Sequence, residues 1–152
     1  MQSTRRANEK SSTRLRLTIQ LATRSSSVPK PAKIRRWIVA ALQQDADITI
    51  RFVGMQEGKQ INQQFRGKAY ATNVLSFCYQ LQPLYGDIVI CAPVVIKEAK
   101  QQKKQLEAHY AHLIVHGVLH LQGYDHVKNH EAVMMESLES EILLKLGYDD
   151  PY

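Results

Sequence analysis

The stretch Asn73-Val-Leu-Ser-Phe-Cys-Tyr-Gln-Leu-Gln-Pro-Leu-Tyr-Gly-Asp-Ile-Val-Ile-Cys91 decides how this chain is built. It holds two runs of strand-forming residues, Asn73–Tyr79 and Gly86–Cys91, rich in Val, Leu, Ile and aromatics. Six residues containing Pro83 separate them. That is too short for the crossover a parallel pair needs, so the two strands are expected to pair antiparallel. Upstream, Leu15, Leu17, Ile19 and Leu21 alternate with Arg16, Thr18 and Gln20, the period of a half-buried strand. Serines and prolines between Ser25 and Pro31 break the chain. Ile34, Trp37, Ile38, Ala41 and Leu42 then recur at helical spacing. Ile48–Val53 reads as another strand, and a polar helix runs from Gly54 to about Phe65. Beyond Cys91, Pro93 suits the first turn of a helix reaching about Lys104. Helices over Leu106–Gln122 and Lys128–Leu146 follow, the last stopped by Gly147 and Pro151. The order predicts an α/β (α+β) fold: one domain, a four-stranded mixed β-sheet covered by about five helices. Met134, Met135, Leu138 and Ile142 on the last helix are expected in the core.

Composition narrows the functional classes. The 152 residues suffice for one domain, and 44 % hydrophobic with 22 % charged residues excludes a disordered chain or a disulfide scaffold. No apolar run approaches the ~20 residues of a membrane-spanning helix, so no membrane association is expected. No secretory signal is apparent. Cys78 and Cys91 form no CxxC pair and read as reduced thiols of a cytoplasmic protein. The net charge of +6 is concentrated at one end. Residues 1–36 carry ten Lys or Arg and one acid, Glu9, whereas the rest carries ten basic and thirteen acidic groups. The expected organisation is a flexible basic leader at 1–13, a domain at 14–148 and a short C-terminal tail at 149–152. The leader reads either as a solubilising segment or as an electrostatic footprint for nucleic acid.

All six histidines lie between positions 109 and 130. His116 and His120 are four residues apart, so on a helix both imidazoles leave one face, where two nitrogens can reach one zinc ion. His112 lies eight residues from His120, about 12 Å along the axis, and cannot close a site with both. Gly123 allows the chain to turn and carry His126 back over that face. His116, His120 and His126 would be three neutral ligands with a fourth position open, the layout of a catalytic zinc site. Metzincin proteases use the same spacing with a glutamate directly after the first histidine. Here that position is Gly117, which cannot move a proton.

The run His116-Gly-Val-Leu-His-Leu-Gln-Gly-Tyr-Asp-His126 resembles the signature of the YbeY family of zinc-dependent endoribonucleases. Ile61-Asn-Gln-Gln-Phe-Arg66, Thr72-Asn-Val-Leu-Ser-Phe77 and Gly86-Asp-Ile88 extend the resemblance over roughly residues 14–148. Ala71 and Cys78 stand where members often carry proline. The resemblance implies a zincin-like metal helix and a single-strand-specific endoribonuclease in ribosomal RNA processing. Its tasks would be small-subunit rRNA 3′-end maturation, ribosome biogenesis and RNA quality control. It implies one Zn2+ on His116, His120 and His126, with Arg66 as the functional arginine. Single-stranded and ribosomal RNA are the implied partners, with small-subunit ribosomal proteins beside them. A guanidinium at Arg66 could bind two oxygens of a charged phosphoryl transition state. Asp125 could orient a ligand imidazole or form a turn. Asn73 and Ser76 either contact substrate or satisfy backbone, and His112 would line the cleft. The alternatives are a non-enzymatic zinc-stabilised rRNA assembly factor and, disfavoured by Gly117, a metallopeptidase.

Overall fold

In the computed structural model, residues 13–25, 27–125 and 128–152 are described. Residues 1–12 of the basic leader, Ser26, His126 and Val127 lie outside them, so the expectations placed on the leader and on His126 do too. Four strands and five helices form among the described residues: β1 (Leu15–Ala22), α1 (Pro31–Ala41), β2 (Ala46–Val53), α2 (Met55–Arg66), β3 (Val74–Leu81), β4 (Leu84–Cys91), α3 (Ala92–Gln101), α4 (Leu106–Leu121) and α5 (Asn129–Lys145). The sheet order is β1-β2-β4-β3. β1 and β4 flank β2 in parallel, and β3 runs antiparallel to β4 at the edge. This is the mixed sheet expected from the order of elements.

The layering follows from the side-chain periods. Ile48, Ile50 and Phe52 of β2 and Ile88 and Ile90 of β4 are fully buried on one face, beneath α1 and α4. α1 reaches this core with Ile34, Trp37, Ile38 and Ala41. Burial stabilises each large apolar side chain by about 1.5–3 kcal/mol relative to exposure. The Trp37 indole donates to the Tyr148 hydroxyl at 3.2 Å, so its N–H is not left unsatisfied in the core. Lys33 of α1 pairs with Glu107 at the start of α4, tying the two helices at the surface. α4 is buried nearly throughout, with Tyr110, Ala111, Ile114, Val115, Val118 and Leu119 packed in the core. No helix among the described residues is long and apolar enough to cross a membrane.

Four local expectations are corrected. β3 and β4 are longer than their apolar runs, so only Gln82 and Pro83 join them. α3 stops at Gln101 rather than Lys104, because Lys103 takes a positive φ of 54° that no helix continues through. Leu21 is 66 % exposed, since β1 is an edge strand and Leu21 lies near its end. On α5, Met135 is buried and Leu138 and Ile142 pack against the core, but Met134 is 58 % exposed. Adjacent helical positions point about 100° apart, and here the turn that buries Met135 leaves Met134 on the solvent side.

Candidate functional site

α4 carries four histidines on one side. His109, His112, His116 and His120 follow one another at intervals of three, four and four, with ring centroids 6.5, 6.4 and 4.9 Å apart. The shortest separation belongs to His116 and His120. These two side chains are half-buried, at the level where α4 crosses the edge strand β3. That crossing is tight at Gly117. A Cβ there would lie 3.2 Å from Ser76 Oγ and 3.3 Å from Ile88 Cδ1. A side chain at 117 would require Ser76 or Ile88 to give way by a few tenths of an ångström. The Ser76 hydroxyl donates to the Gly117 carbonyl at 3.3 Å, which gives it a structural partner.

α4 ends one residue after His120, at Leu121. Gly123 has φ 98° and donates to the His120 carbonyl, and Tyr124 N–H returns to Leu119. The chain therefore reverses where the sequence places the turn, and exposed Asp125 follows it. Two of the three proposed ligands are thus on one helix face, and the third, His126, lies outside the described residues. Among the described residues no group of three His, Cys, Asp or Glu side chains gathers to hold an ion.

The sequence reading missed the carboxylate beneath this face. Glu139 of α5 is 1 % exposed, and its Oε1 lies 2.6 Å from His116 Nδ1 and 3.4 Å from His112 Nε2. Its Oε2 accepts from the Tyr152 hydroxyl at 2.5 Å. Burial alone would raise its pKa, but the bonds from His112, His116 and Tyr152 outweigh this and hold it at about 2. An ionised carboxylate only accepts, so the proton of His116 belongs on Nδ1 and the lone pair on Nε2. That is the tautomer in which a histidine ligates a metal through Nε2. The histidine donor set therefore fits a zinc ion.

A second carboxylate–histidine pair sits nearer the start of α4. Glu98 Oε1 lies 3.0 Å from Nε2 of His109, and the Asn73 amide donates to both Glu98 oxygens at 3.1 and 3.3 Å. Asn73 also accepts from Val74 N–H at 2.6 Å, so both ends of its amide are used within the fold. Burial is the largest influence on His109 and lowers its pKa, against the opposing pull of Glu98.

Arg66 is the exposed last residue of α2, where its charge favours the helix terminus. The adjacent Phe65 ring meets Phe77 of β3 edge-on at 5.1 Å, so this end of α2 rests against the edge strand next to Ser76. Arg66 makes no hydrogen bond or ion pair among the described residues, which leaves its guanidinium available to a ligand.

The family profile described as "Endoribonuclease YbeY" matches residues 18–147. The chain belongs to the YbeY family. A YbeY endoribonuclease of Nitrosomonas eutropha is 58 % identical over 137 residues, covering 90 % of this chain and 97 % of that protein. One from Aromatoleum aromaticum is 53 % identical over 148 residues, covering 95 % and 96 %. A Thermotoga maritima protein solved in solution aligns over 86 % of this chain and 91 % of its own with a TM-score of 0.55. At 24 % identity it shows the likeness of fold alone. The YbeY match ends at residue 147, before Tyr152, which closes the hydrogen-bond chain on Glu139.

Proposed function

We propose that the chain is a metal-dependent endoribonuclease that cuts single-stranded RNA in the cytoplasm. Its substrate would be the 3′ end of small-subunit ribosomal RNA, with small-subunit ribosomal proteins as neighbours. One zinc ion held by His116, His120 and His126 would serve it. The observation that carries the reading is the pair of adjacent imidazoles on α4, one locked at Nδ1 by a buried carboxylate. YbeY membership adds the RNA. When bound, such an ion lowers the pKa of a coordinated water toward ~7 and polarises a phosphoryl oxygen.

The chain's own residues supply the remainder. Glu139 fixes the His116 ring, so Nε2 needs little reorganisation to bind. Arg66 would bind two equatorial oxygens of the reacting phosphoryl group, where charge accumulates. Gly117 offers no proton acceptor, which weighs against attack on a peptide. The test is incubation of the purified chain with labelled single-stranded RNA and with casein, each with and without chelator. Chelator-sensitive cleavage of RNA alone supports the reading. Cleavage of casein, or RNA binding without cleavage, would replace it with the peptidase or the assembly factor.

A further inference from the structure

Tyr152 lies outside every helix, yet it is anchored more closely to the histidine face than any other part of the C-terminal segment. Its hydroxyl donates to Glu139 Oε2 at 2.5 Å and lies 3.3 Å from His112 Nε2. Its ring meets His112 edge-on at 5.5 Å. The segment leading to it is pinned as well. Asp150 accepts from the Ser140 hydroxyl at 2.8 Å and from Tyr152 N–H at 3.0 Å. Lys104 Nζ reaches the Pro151 carbonyl. The expected short tail at 149–152 is therefore strapped across α4 and α5.

Glu139 reaches His116 through a single oxygen, and a carboxylate with one anchored oxygen can swing about its terminal torsion, which is broad and soft. The Tyr152 hydroxyl anchors the second oxygen. With both held, the plane of the carboxylate is fixed, and with it the plane of the imidazole bonded to Oε1. We infer that Tyr152 is a positioning residue of the metal centre. Acting through Glu139, it sets the orientation of His116 for the ion. This rests on His116 being a metal ligand, as proposed above. His112, touching both Glu139 and Tyr152, completes the frame without being a ligand.

The test compares three full-length variants by zinc affinity, measured in competition with a chromophoric chelator. Tyr152→Phe keeps the ring and removes the hydroxyl. Glu139→Gln keeps the shape and removes the charge. Tyr148→Phe is the control, because its hydroxyl bonds Glu107 and Trp37 and touches no histidine. Removing such outer partners typically costs 10–100-fold in metal affinity. Tyr152→Phe should lose about 10-fold and Glu139→Gln at least as much, while Tyr148→Phe binds as the parent does. Cobalt substitution should show an altered visible spectrum for Tyr152→Phe and Glu139→Gln only. Parent affinity in Tyr152→Phe overturns the inference and leaves the metal reading intact. Equal losses in all three variants also overturn it, since they would report general loosening. A parent chain that binds no zinc removes the metal reading itself.

Discussion

Helix α4 holds two carboxylate–histidine pairs whose burial is reversed. At His109 the imidazole is buried, 4 % exposed, and its partner Glu98 is 27 % exposed. At His116 the carboxylate Glu139 is buried, 1 % exposed, and the imidazole is 23 % exposed. Each carboxylate is steadied by a third polar group, Asn73 in one case and Tyr152 in the other. The bonds are alike and the consequences are not. His109 turns its remaining nitrogen into the core, where Nδ1 has no partner among the described residues. His116 has its buried partner below and is itself part-exposed. On the proposed reading, the buried histidine serves packing and the histidine over a buried carboxylate serves the metal.

The largest expected effect breaks the contrast at its exposed end. His120→Ala should lose bound metal and RNA cleavage together, with reduced stability of the zinc-loaded chain, checked by metal analysis and a gel cleavage assay. Arg66→Ala should keep metal and fold but lose about 10²–10³ in cleavage, the usual loss for one transition-state donor. Arg66→Lys should recover only part of it, since an ammonium lacks the two-pronged geometry. Parent-rate cleavage by zinc-loaded Arg66→Ala would take Arg66 out of the mechanism.

At the other pair the effect should fall on stability alone. His109→Leu should lower the unfolding free energy by about 0.5–1.5 kcal/mol, the net worth of its bond to Glu98, which Asn73 continues to hold, while zinc affinity stays at the parent value. Urea titration and chelator competition read the two quantities separately. A loss of zinc affinity would show the pairs to be one unit.

The smallest effect is a pH dependence. Burial depresses the His109 pKa, so below its ordinary 6.5 the unfolded chain takes up a proton that the folded chain resists. Stability from this residue is present above pH 6.5 and declines as pH falls toward the depressed folded value. His109→Leu should therefore show a shallower loss of urea midpoint between pH 7 and pH 5.5. Equal slopes in parent and variant would mean that His109 is not held neutral.

The histidine spacing and the succession of strands and helices were legible because both are local, whereas the order of the parallel strands in the sheet was not. Positions four apart on a helix share a face, and strand and helix periods announce themselves within a dozen residues. Gly123 is likewise a local signal. Glu139 was not legible, since it meets His116 across 23 positions and through the packing of two helices. Nothing in the sequence separates it from Glu136, one helical turn earlier and exposed. Tyr152 is further still, 40 positions from His112, in a segment that reads as a short C-terminal tail. The same limit explains Met134. α5 carries apolar residues around much of its circumference, Val133, Met134 and Leu144 exposed and Met135 and Leu143 buried, so its sequence does not mark the inward face.

The division of α4 into a metal end and a packing end is tested most directly by counting zinc. Full-length chain, His116→Ala and His109→Leu would each be loaded, dialysed and analysed for metal per chain. One zinc per chain is predicted for the parent and for His109→Leu, and none for His116→Ala. Zinc retained by His116→Ala, or lost from His109→Leu, would contradict the account.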